Sequence, residues 1–183
     1  SPSVIAFSST RHGGFSQGAY GEFNINRFCG DNEECISKNL EALSRTLGIS
    51  GNAVIMPHQT HGTEVRLIAK YFLTLPQQVK GMVLEGVDAL ITDVRNICIG
   101  VSTADCIPII IYDPAHHAAA AVHAGWRGTV QRIVLKSIDT MRIAYGSRPE
   151  ELQAVIGPGI SLGAFEVGDE VYSEFAEAGF DMT

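Results

Sequence analysis

One short turn between two apolar, β-prone runs constrains the fold most strongly. Residues 106–112 read Cys-Ile-Pro-Ile-Ile-Ile-Tyr, residues 113–116 read Asp-Pro-Ala-His, and residues 117–124 are again mostly apolar. Asp-Pro initiates turns, so the pattern predicts an antiparallel β-hairpin with residues 113–116 as its loop. In that register Tyr112 faces His117 and Cys106 faces His123.

The predicted pairing of Cys106 with His123 would place two reactive groups side by side. Directly opposed Cβ atoms lie about 4.5–5.5 Å apart, so a thiolate and an imidazole there can share a metal ion or form a nucleophile–base pair. Alone, Cys106 is as typical of a core strand as of a site, and a histidine like His123 is more often a core residue, but their opposition favours a site. Pro108 predicts an edge or bulged strand, and a bulge would turn Cys106 away from His123.

A third ligand is needed if the pair binds a catalytic metal. Catalytic zinc sites have three protein ligands and one open position, whereas structural sites have four. His58 and His61, in the segment His58-Gln59-Thr60-His61-Gly62, are the candidates. The spacing alone leaves both open, and a site containing both would be a structural one.

Composition excludes several classes of partner. The chain has 183 residues, a formal net charge of −7 and no basic run, so nucleic-acid binding through a cationic face is not expected. No apolar stretch approaches the roughly 20 residues of a membrane span. The four cysteines are scattered and no secretory leader is visible, which is typical of a cytoplasmic protein with reduced thiols.

The remaining periodicity predicts a single α+β domain over residues 1–183, because strands are many and do not alternate regularly with helices. A helix is expected from an Asp31 cap to Gly48, and others over residues 129–145 and 169–178. Residues 71–86 have no clear pattern. The other strand candidates are residues 4–7, 53–56, 63–69, 87–92, 97–102 and 152–156.

The glycine-rich segment His123-Ala124-Gly125-Trp126-Arg127-Gly128 leads into the helix expected at residues 129–145. A helix N-terminus and Arg127 could bind an anion such as phosphate. An ordinary strand-to-helix turn with a surface arginine is equally compatible with the pattern. The segment Gly157-Pro158-Gly159 is not a dinucleotide fingerprint, since Leu162 stands where the third glycine belongs.

Taken together, six motifs closely resemble the YfiH family, also called the laccase-domain or polyphenol oxidase family, over the whole chain. They are Thr10-Arg11-His12-Gly13-Gly14, His58-Gln59-Thr60-His61-Gly62, Asp88-Ala89-Leu90-Ile91-Thr92, Thr103-Ala104-Asp105-Cys106, His123-Ala124-Gly125-Trp126-Arg127-Gly128 and Phe165-Glu166-Val167-Gly168. The resemblance implies mixed β-sheets sandwiched by helices, as in the catalytic domain of a Cys–His toxin deamidase. It places the metal ligands at His61, Cys106 and His123, with Zn²⁺ as the native ion.

The activity implied by the resemblance is purine nucleoside chemistry: phosphorolysis of adenosine, inosine and methylthioadenosine, and deamination of adenosine. The expected partners are therefore a purine nucleoside and phosphate. Cys106, His123 and Arg127 are the expected catalytic residues, with Arg11 and Arg127 on phosphate. Asp105 is a candidate proton carrier, although strand alternation would point it away from Cys106.

The chain departs from the family pattern in two places, and only the second is expected to affect activity. Gly163-Ala164 stands where members often have cysteine, which is not a ligand position. Members also continue well beyond a position like Thr183, so we expect the chain to lack the family's C-terminal segment.

Three further expectations concern the metal. A multicopper oxidase needs far more histidines than the six present, so Cu²⁺ is expected only as an adventitious substitute that displaces Zn²⁺. One rival interpretation is a metal-free hydrolase or amidase with Cys106 as nucleophile and His123 as base. The other is a non-catalytic metal-binding module with His58 as a fourth ligand. The oligomeric state stays open.

Overall fold

A computed structural model describes residues 4–182. The α-helices of this part are α1 (Glu33–Leu47), α2 (Gln77–Leu84), α3 (Trp126–Val130), α4 (Ile133–Tyr145) and α5 (Asp169–Glu177). The strands are β1 (Val54–Ile55), β2 (Val65–Leu67), β3 (Ala89–Thr92), β4 (Cys98–Ile99), β5 (Ile107–Asp113), β6 (Ala118–Ala124) and β7 (Gln153–Ile156). The strand expected at residues 4–7 is wrong, because this exposed segment has no partner strand.

Two sheets organise residues 4–182. Five strands form one sheet in the order β2-β3-β6-β5-β7, in which β2 and β3 are parallel and the other neighbours are antiparallel. Strands β1 and β4 form a small parallel sheet of their own. The predicted α+β class with mixed sheets is therefore confirmed.

Strand β3 lies between two hydrophobic clusters. Its side chains alternate, so Ala89 and Ile91 pack in one cluster and Leu90 packs in the other. The first cluster includes Ile133 and Met141 of α4, which covers that face. The second is closed by the 3-10 helix Lys70–Thr74, by α2 and by the small sheet, through Ile55, Phe72, Leu73, Val83, Leu84 and Ile99. Both faces are covered, which explains why every residue of β3 is buried.

The expected helix at residues 31–48 is present, but its cap differs by one residue. The Asn32 side chain accepts hydrogen bonds from the backbone N–H groups of Glu34 and Cys35, so Asn32 and not Asp31 is the N-cap. The Asp31 carboxylate instead accepts hydrogen bonds from Ser16 and Asn24. Gly48 ends the helix in the left-handed region at φ 67°, as expected.

The helix expected at residues 129–145 is two helices. Helix α3 begins earlier, at Trp126, and α4 begins at Ile133, with Arg132 at φ 64° between them. The Arg132 guanidinium donates to the Ala178 carbonyl and lies 3.6 Å from the centre of the Phe180 ring. No glycine or proline marks the break in the sequence. None of the helices in the described part is long and apolar enough to cross a membrane.

The predicted hairpin exists, but its register is wrong by two residues. Tyr112 pairs with Ala119 rather than His117, and His123 pairs with Pro108 rather than Cys106. The turn consists of residues 114–117, because Asp113 is the last residue of β5. A shift of two residues keeps every side chain on its original face, whereas a shift of one would reverse it.

Pro108 lies in an interior strand without a bulge, contrary to the expectation. Strand β5 pairs with both β6 and β7, and the register around Pro108 is regular. The N–H of His123 donates to the backbone carbonyl of Asp88, just before β3, so it makes no hydrogen bond to Pro108. On its other side, Pro108 accepts a hydrogen bond from Gly157, beyond the last residue pair of β5 and β7. The N–H that proline lacks would therefore point beyond the end of β7, where no strand pairing is lost.

Candidate metal centre

Three side chains from separate segments meet near one end of the central hairpin. One ligand atom from each of His61, Cys106 and His123 lies within 4.8 Å of the other two. His123 is buried, Cys106 is half-buried and His61 is exposed. The cluster is therefore supported by the protein interior on one side and reachable from solvent on the other.

His123 is held by a buried carboxylate. Its Nδ1 lies 2.7 Å from Oδ1 of Asp88, and the side chains of the two residues are 3% and 0% exposed. An ionised carboxylate can only accept hydrogen bonds, so Nδ1 is the donor in this bond and Nε2 is the ring nitrogen left for a metal ion. A carboxylate behind a ligating histidine fixes the tautomer and the ring orientation that metal binding requires.

The same carboxylate also holds the loop that carries His61. Asp88 accepts backbone N–H groups from Thr60, His61 and Gly62 at 3.1, 3.0 and 2.8 Å. Burial opposes ionisation of Asp88, but the hydrogen bonds from His123, Gly62 and Thr60 outweigh it and keep its pKa below the ordinary value. One buried anion thus orients two of the three candidate ligands.

His61 adopts a backbone conformation that this loop imposes. Its φ is 61°, in the left-handed region that non-glycine residues rarely occupy. The hydrogen bond from its N–H to Asp88 holds it there. The imidazole rings of His61 and His123 meet edge to face with centroids 4.9 Å apart.

Cys106 is the residue immediately before β5. Because Ile107 pairs with Ala124, Cys106 lies diagonally across from His123. The two side chains still share a face of the hairpin, because the observed register differs from the expected one by two residues. Burial raises the pKa of the Cys106 thiol, and the negative charges of Asp105 and Asp88 raise it further. In the absence of a cation the thiol is therefore held in its neutral form.

Gly125 leaves space for these side chains. A Cβ at this position would lie 3.1 Å from Cys106 Sγ, 3.1 Å from His61 Cδ2 and 3.7 Å from His123 Cε1. Its φ of −70° is accessible to any residue, so the requirement for glycine is one of space. The absence of a side chain lets the three candidate ligands approach one another.

His58 does not join the cluster. Its Nδ1 lies 2.8 Å from Oε1 of Glu85, and its ring stacks on Phe28 with centroids 4.2 Å apart. The group of potential metal ligands found within residues 4–182 contains His61, Cys106 and His123 alone. The expectation of His58 as a fourth ligand is therefore wrong.

The donor set fits a zinc ion with an open position. One thiolate and two imidazoles are ligands that Zn²⁺ prefers, and three protein ligands leave one of its four positions open. Nδ1 of His123 is engaged by Asp88, which leaves Nε2 for the ion and supplies the hydrogen bond that ligating histidines usually have.

The expected anion-binding arginines occupy different surroundings. Arg127 is in the first turn of α3, is exposed, and places its guanidinium carbon 4.1 Å from the centre of the Trp126 ring. Arg11 donates from Nε and Nη2 to the carbonyl of Gly21, at 2.8 and 2.6 Å. The guanidinium of Arg11 is thus tied to its own loop.

Asp105 lies in a bend before β5 and not in a strand. The expectation that strand alternation points it away from Cys106 therefore does not apply. Its φ is 78° and it is exposed. Its carbonyl accepts the N–H of Ile160. Its charge contributes to the raised pKa of Cys106, so its carboxylate acts on the site electrostatically.

Sequence reasoning missed the roles of Asp88 and Gly125. Both stand within motifs recognised in the sequence, but neither motif shows what the residue contacts. Asp88 directly precedes the apolar residues Ala89, Leu90 and Ile91, and a buried aspartate needs partners, so its position contained a usable signal. The position of Gly125 contained no such signal, because its need for space depends on the position of the distant His61 side chain.

Comparisons with known proteins agree with this architecture. A family model described as "Multi-copper polyphenol oxidoreductase laccase" matches residues 5–183. The chain is 44% identical over 98% of its length to the "Purine nucleoside phosphorylase" of Bacteroides thetaiotaomicron, of which it covers 66%. It is 39% identical over 98% of its length to "Adenosine deaminase RL5" of an unknown prokaryotic organism, of which it covers 68%.

A solved structure has the same fold. The Bacillus licheniformis hypothetical protein YfiH superposes with a TM-score of 0.84 at 26% identity, over 94% of this chain and 64% of that one. The resemblance to the YfiH family inferred from the motifs is therefore confirmed. The chain spans about two thirds of the length of these proteins.

Proposed function

The chain belongs to the family described as multi-copper polyphenol oxidoreductase laccases, and on that premise we propose that it provides the zinc centre of a purine nucleoside enzyme. The reactions proposed are phosphorolysis of adenosine, inosine and methylthioadenosine, and deamination of adenosine. The names of the two curated relatives support these reaction classes.

The observation that supports the proposal most directly is the convergence of His61, Cys106 and His123 within 4.8 Å. Their unequal burial leaves an approach for a substrate on the side of His61. The ion would be held by the Cys106 thiolate, by Nε2 of His123 and by a ring nitrogen of His61. When bound, Zn²⁺ with three protein ligands acidifies water at its fourth position, which is the chemistry that hydrolytic deamination needs.

Deamination also requires a carboxylate that carries a proton to the leaving amine. Asp88 is unsuited, because it is fully buried and already accepts four hydrogen bonds. Asp105 is exposed and its charge acts on Cys106. We assign Asp105 the role of proton carrier.

Phosphorolysis requires a positively charged site for phosphate. Arg127 follows two residues after Gly125, where an added Cβ would touch the candidate ligands, and Arg127 is exposed. We assign it to phosphate, because arginine presents a fork of donors that matches phosphate oxygens. Arg11 is assigned a second contact, which it could make only after its hydrogen bonds to Gly21 are exchanged.

Zinc is proposed in preference to copper as the native ion. The metal-binding cluster within the described residues consists of one thiolate and two imidazoles, which suits a single closed-shell ion and not the several coppers of a multicopper oxidase. Cu²⁺ binds nitrogen and sulfur sites more tightly than Zn²⁺ does. We therefore attribute any phenol oxidation after copper addition to displacement of zinc.

A metal-free Cys–His hydrolase is the competing interpretation. Cys106, His123 and Asp88 resemble a nucleophile–base–orienter series. A reactive cysteine, however, usually has a lowered pKa and a cationic neighbourhood. Burial and two nearby carboxylates raise the pKa of Cys106 instead. This difference favours the metal interpretation.

Product identification tests the proposed activity. Zinc-loaded protein is incubated with adenosine, with and without inorganic phosphate, and the products are separated by chromatography. Without phosphate we expect inosine as the product. With phosphate we expect adenine and ribose 1-phosphate as well, together with hypoxanthine from phosphorolysis of the inosine formed. Formation of none of these products by zinc-loaded wild-type protein, with zinc content verified, would contradict the proposed activities.

A further inference from the structure

We propose that Gln59 is a positioning residue that sets the separation between the loops carrying Cys106 and His61. The side-chain amide of Gln59 donates to the carbonyl of Ser102 at 2.8 Å and accepts the N–H of the same residue at 2.7 Å. Forty-three residues separate the two partners along the chain. The inference rests on the proposed metal centre and deepens it.

Both ligand loops leave the same edge of the small parallel sheet. Val54 pairs with Cys98 and Ile55 with Ile99, so the carboxyl ends of β1 and β4 point in one direction. Residues 56–64 follow β1 and contain His61, whereas residues 100–106 follow β4 and contain Cys106. Pairing between the backbones continues one step further, from the N–H of Gly100 to the carbonyl of Ile55.

The Gln59 amide extends this pairing after the strands have ended. In a parallel ladder, the N–H and C=O of one residue bond to the peptide groups of a neighbouring strand. At Ser102 both groups bond to one side chain instead. Gln59 lies two residues before His61, and Ser102 lies four residues before Cys106, so the clamp connects the two loops just before their ligands.

The two ligand loops lie outside the hydrophobic clusters. Among the residues described, none of 56–64 or 100–106 belongs to either hydrophobic cluster. Asp88 fixes the His61 loop through three backbone N–H groups, and Ile160 bonds to Asp105. Among the hydrogen bonds of residues 4–182, those of the Gln59 clamp join the two ligand loops directly. Its loss should therefore alter ligand geometry more than it alters the core.

Cobalt binding provides the test, because Co²⁺ reports both affinity and the presence of a thiolate ligand through its absorption spectrum. Gln59→Met keeps the length of the side chain and removes both hydrogen bonds. Gln59→Glu keeps an acceptor for the N–H of Ser102 and loses the donor. Gln78→Met on the exposed surface of α2 is the matched control.

We expect Gln59→Met to weaken Co²⁺ binding by roughly 10–100-fold, the usual effect of removing support for metal ligands, and to reduce the thiolate-to-cobalt absorption. Gln59→Glu should recover part of the affinity, and Gln78→Met should match the wild-type protein. Circular dichroism and the thermal midpoint of the metal-free proteins monitor folding. If Gln59→Met does not fold, Gln59→Glu serves as the test, with an affinity at least threefold below wild type expected.

Two outcomes overturn the inference in different ways. If Gln59→Met binds Co²⁺ with wild-type affinity and absorption, the clamp does not position the ligands. If Gln59→Met does not fold, the same result for Gln59→Glu leads to the same conclusion. A lower thermal midpoint alone would then mark it as purely structural. Wild-type protein that binds Co²⁺ without any thiolate absorption would overturn the proposed metal centre itself, and the inference with it.

Discussion

Asp88 and His123 make a 2.7 Å hydrogen bond between Oδ1 and Nδ1, with both side chains almost completely removed from solvent. The bond fixes the imidazole so that Nε2 is directed away from the carboxylate. Because Asp88 also accepts three N–H groups of the His61 loop, a single side chain prepares two proposed ligands before any ion binds.

Replacing Asp88 with asparagine should therefore damage both the site and the fold. The amide NH₂ cannot accept the N–H groups that the carboxylate accepts, so buried donors lose their partners. We expect zinc affinity to fall by roughly 10–100-fold and the free energy of unfolding to fall by about 2–4 kcal/mol. Chelator competition and urea denaturation measure the two effects.

The exposed residue Asp139 supplies the control for Asp88. Asp139→Asn should leave both quantities near their wild-type values, since exposed ion pairs contribute little. Unchanged zinc affinity in a folded Asp88→Asn protein would contradict the role given to this carboxylate.

Gly125→Ala should weaken metal binding with little effect on the backbone. The added methyl group would lie 3.1 Å from both Cys106 Sγ and His61 Cδ2, so one of these ligands must shift by several tenths of an ångström. We expect zinc affinity to fall about tenfold, by the same reasoning that applies to misplaced ligands. Gly163→Ala, which introduces no contact within 4 Å, is the control, and equal affinities in the two variants would refute the spatial argument.

Acid stability should depend on Asp113 at the hairpin turn. Burial opposes ionisation of this carboxyl, but the nearby Ser147 hydroxyl and the hydrogen bonds it accepts from His116 and Ala115 lower its pKa from 3.8 to about 2. Its ionised form therefore stabilises the fold fully above pH 4, and the contribution is lost as the pH falls toward 2. The loss corresponds to about 2 kcal/mol.

Urea denaturation at several pH values checks this dependence. Asp113→Asn should be less stable than wild type at neutral pH, and the difference between the two proteins should shrink between pH 4 and 2. A difference that stays constant across this window would contradict the assignment.

Arg127→Ala should separate the two proposed reactions. Loss of one charge-assisted contact costs about 1.5–3 kcal/mol, so phosphorolysis of inosine should fall by roughly 10–100-fold, whereas deamination of adenosine should change by less than about threefold. Steady-state rates at fixed phosphate measure the difference, with the exposed Arg142→Ala as control. Equal losses in both reactions would remove Arg127 from the phosphate site.

The sequence predicted that Cys106 and His123 share one face of the hairpin, but it did not predict their register. The hairpin was recognisable from Asp113-Pro114 and its flanking apolar runs, but the loop was placed one residue too early. The predicted register is therefore wrong by two residues, which leaves Cys106 and His123 on the same face of the hairpin. Alternation along a strand determines the face of a side chain, whereas the exact partner depends on turn geometry that Asp113 fixes with its own side chain.

Contacts between distant segments were beyond the reach of local patterns. The break at Arg132 follows from contacts with Ala178 and Phe180 near the other end of the chain, which no periodicity within residues 126–145 reveals. The selection of His61 over His58 came from family resemblance. The structure gives the physical reason, since Glu85 and Phe28 engage His58 and Asp88 engages the His61 backbone.

The most direct test of the metal centre is elemental analysis of protein purified without added metal. We expect about one zinc per chain in the wild-type protein, and almost none in Cys106→Ser that retains its circular dichroism spectrum. Wild-type protein that contains no metal, and whose Cys106 is rapidly alkylated by iodoacetamide at neutral pH, would contradict the account and identify a thiol nucleophile instead.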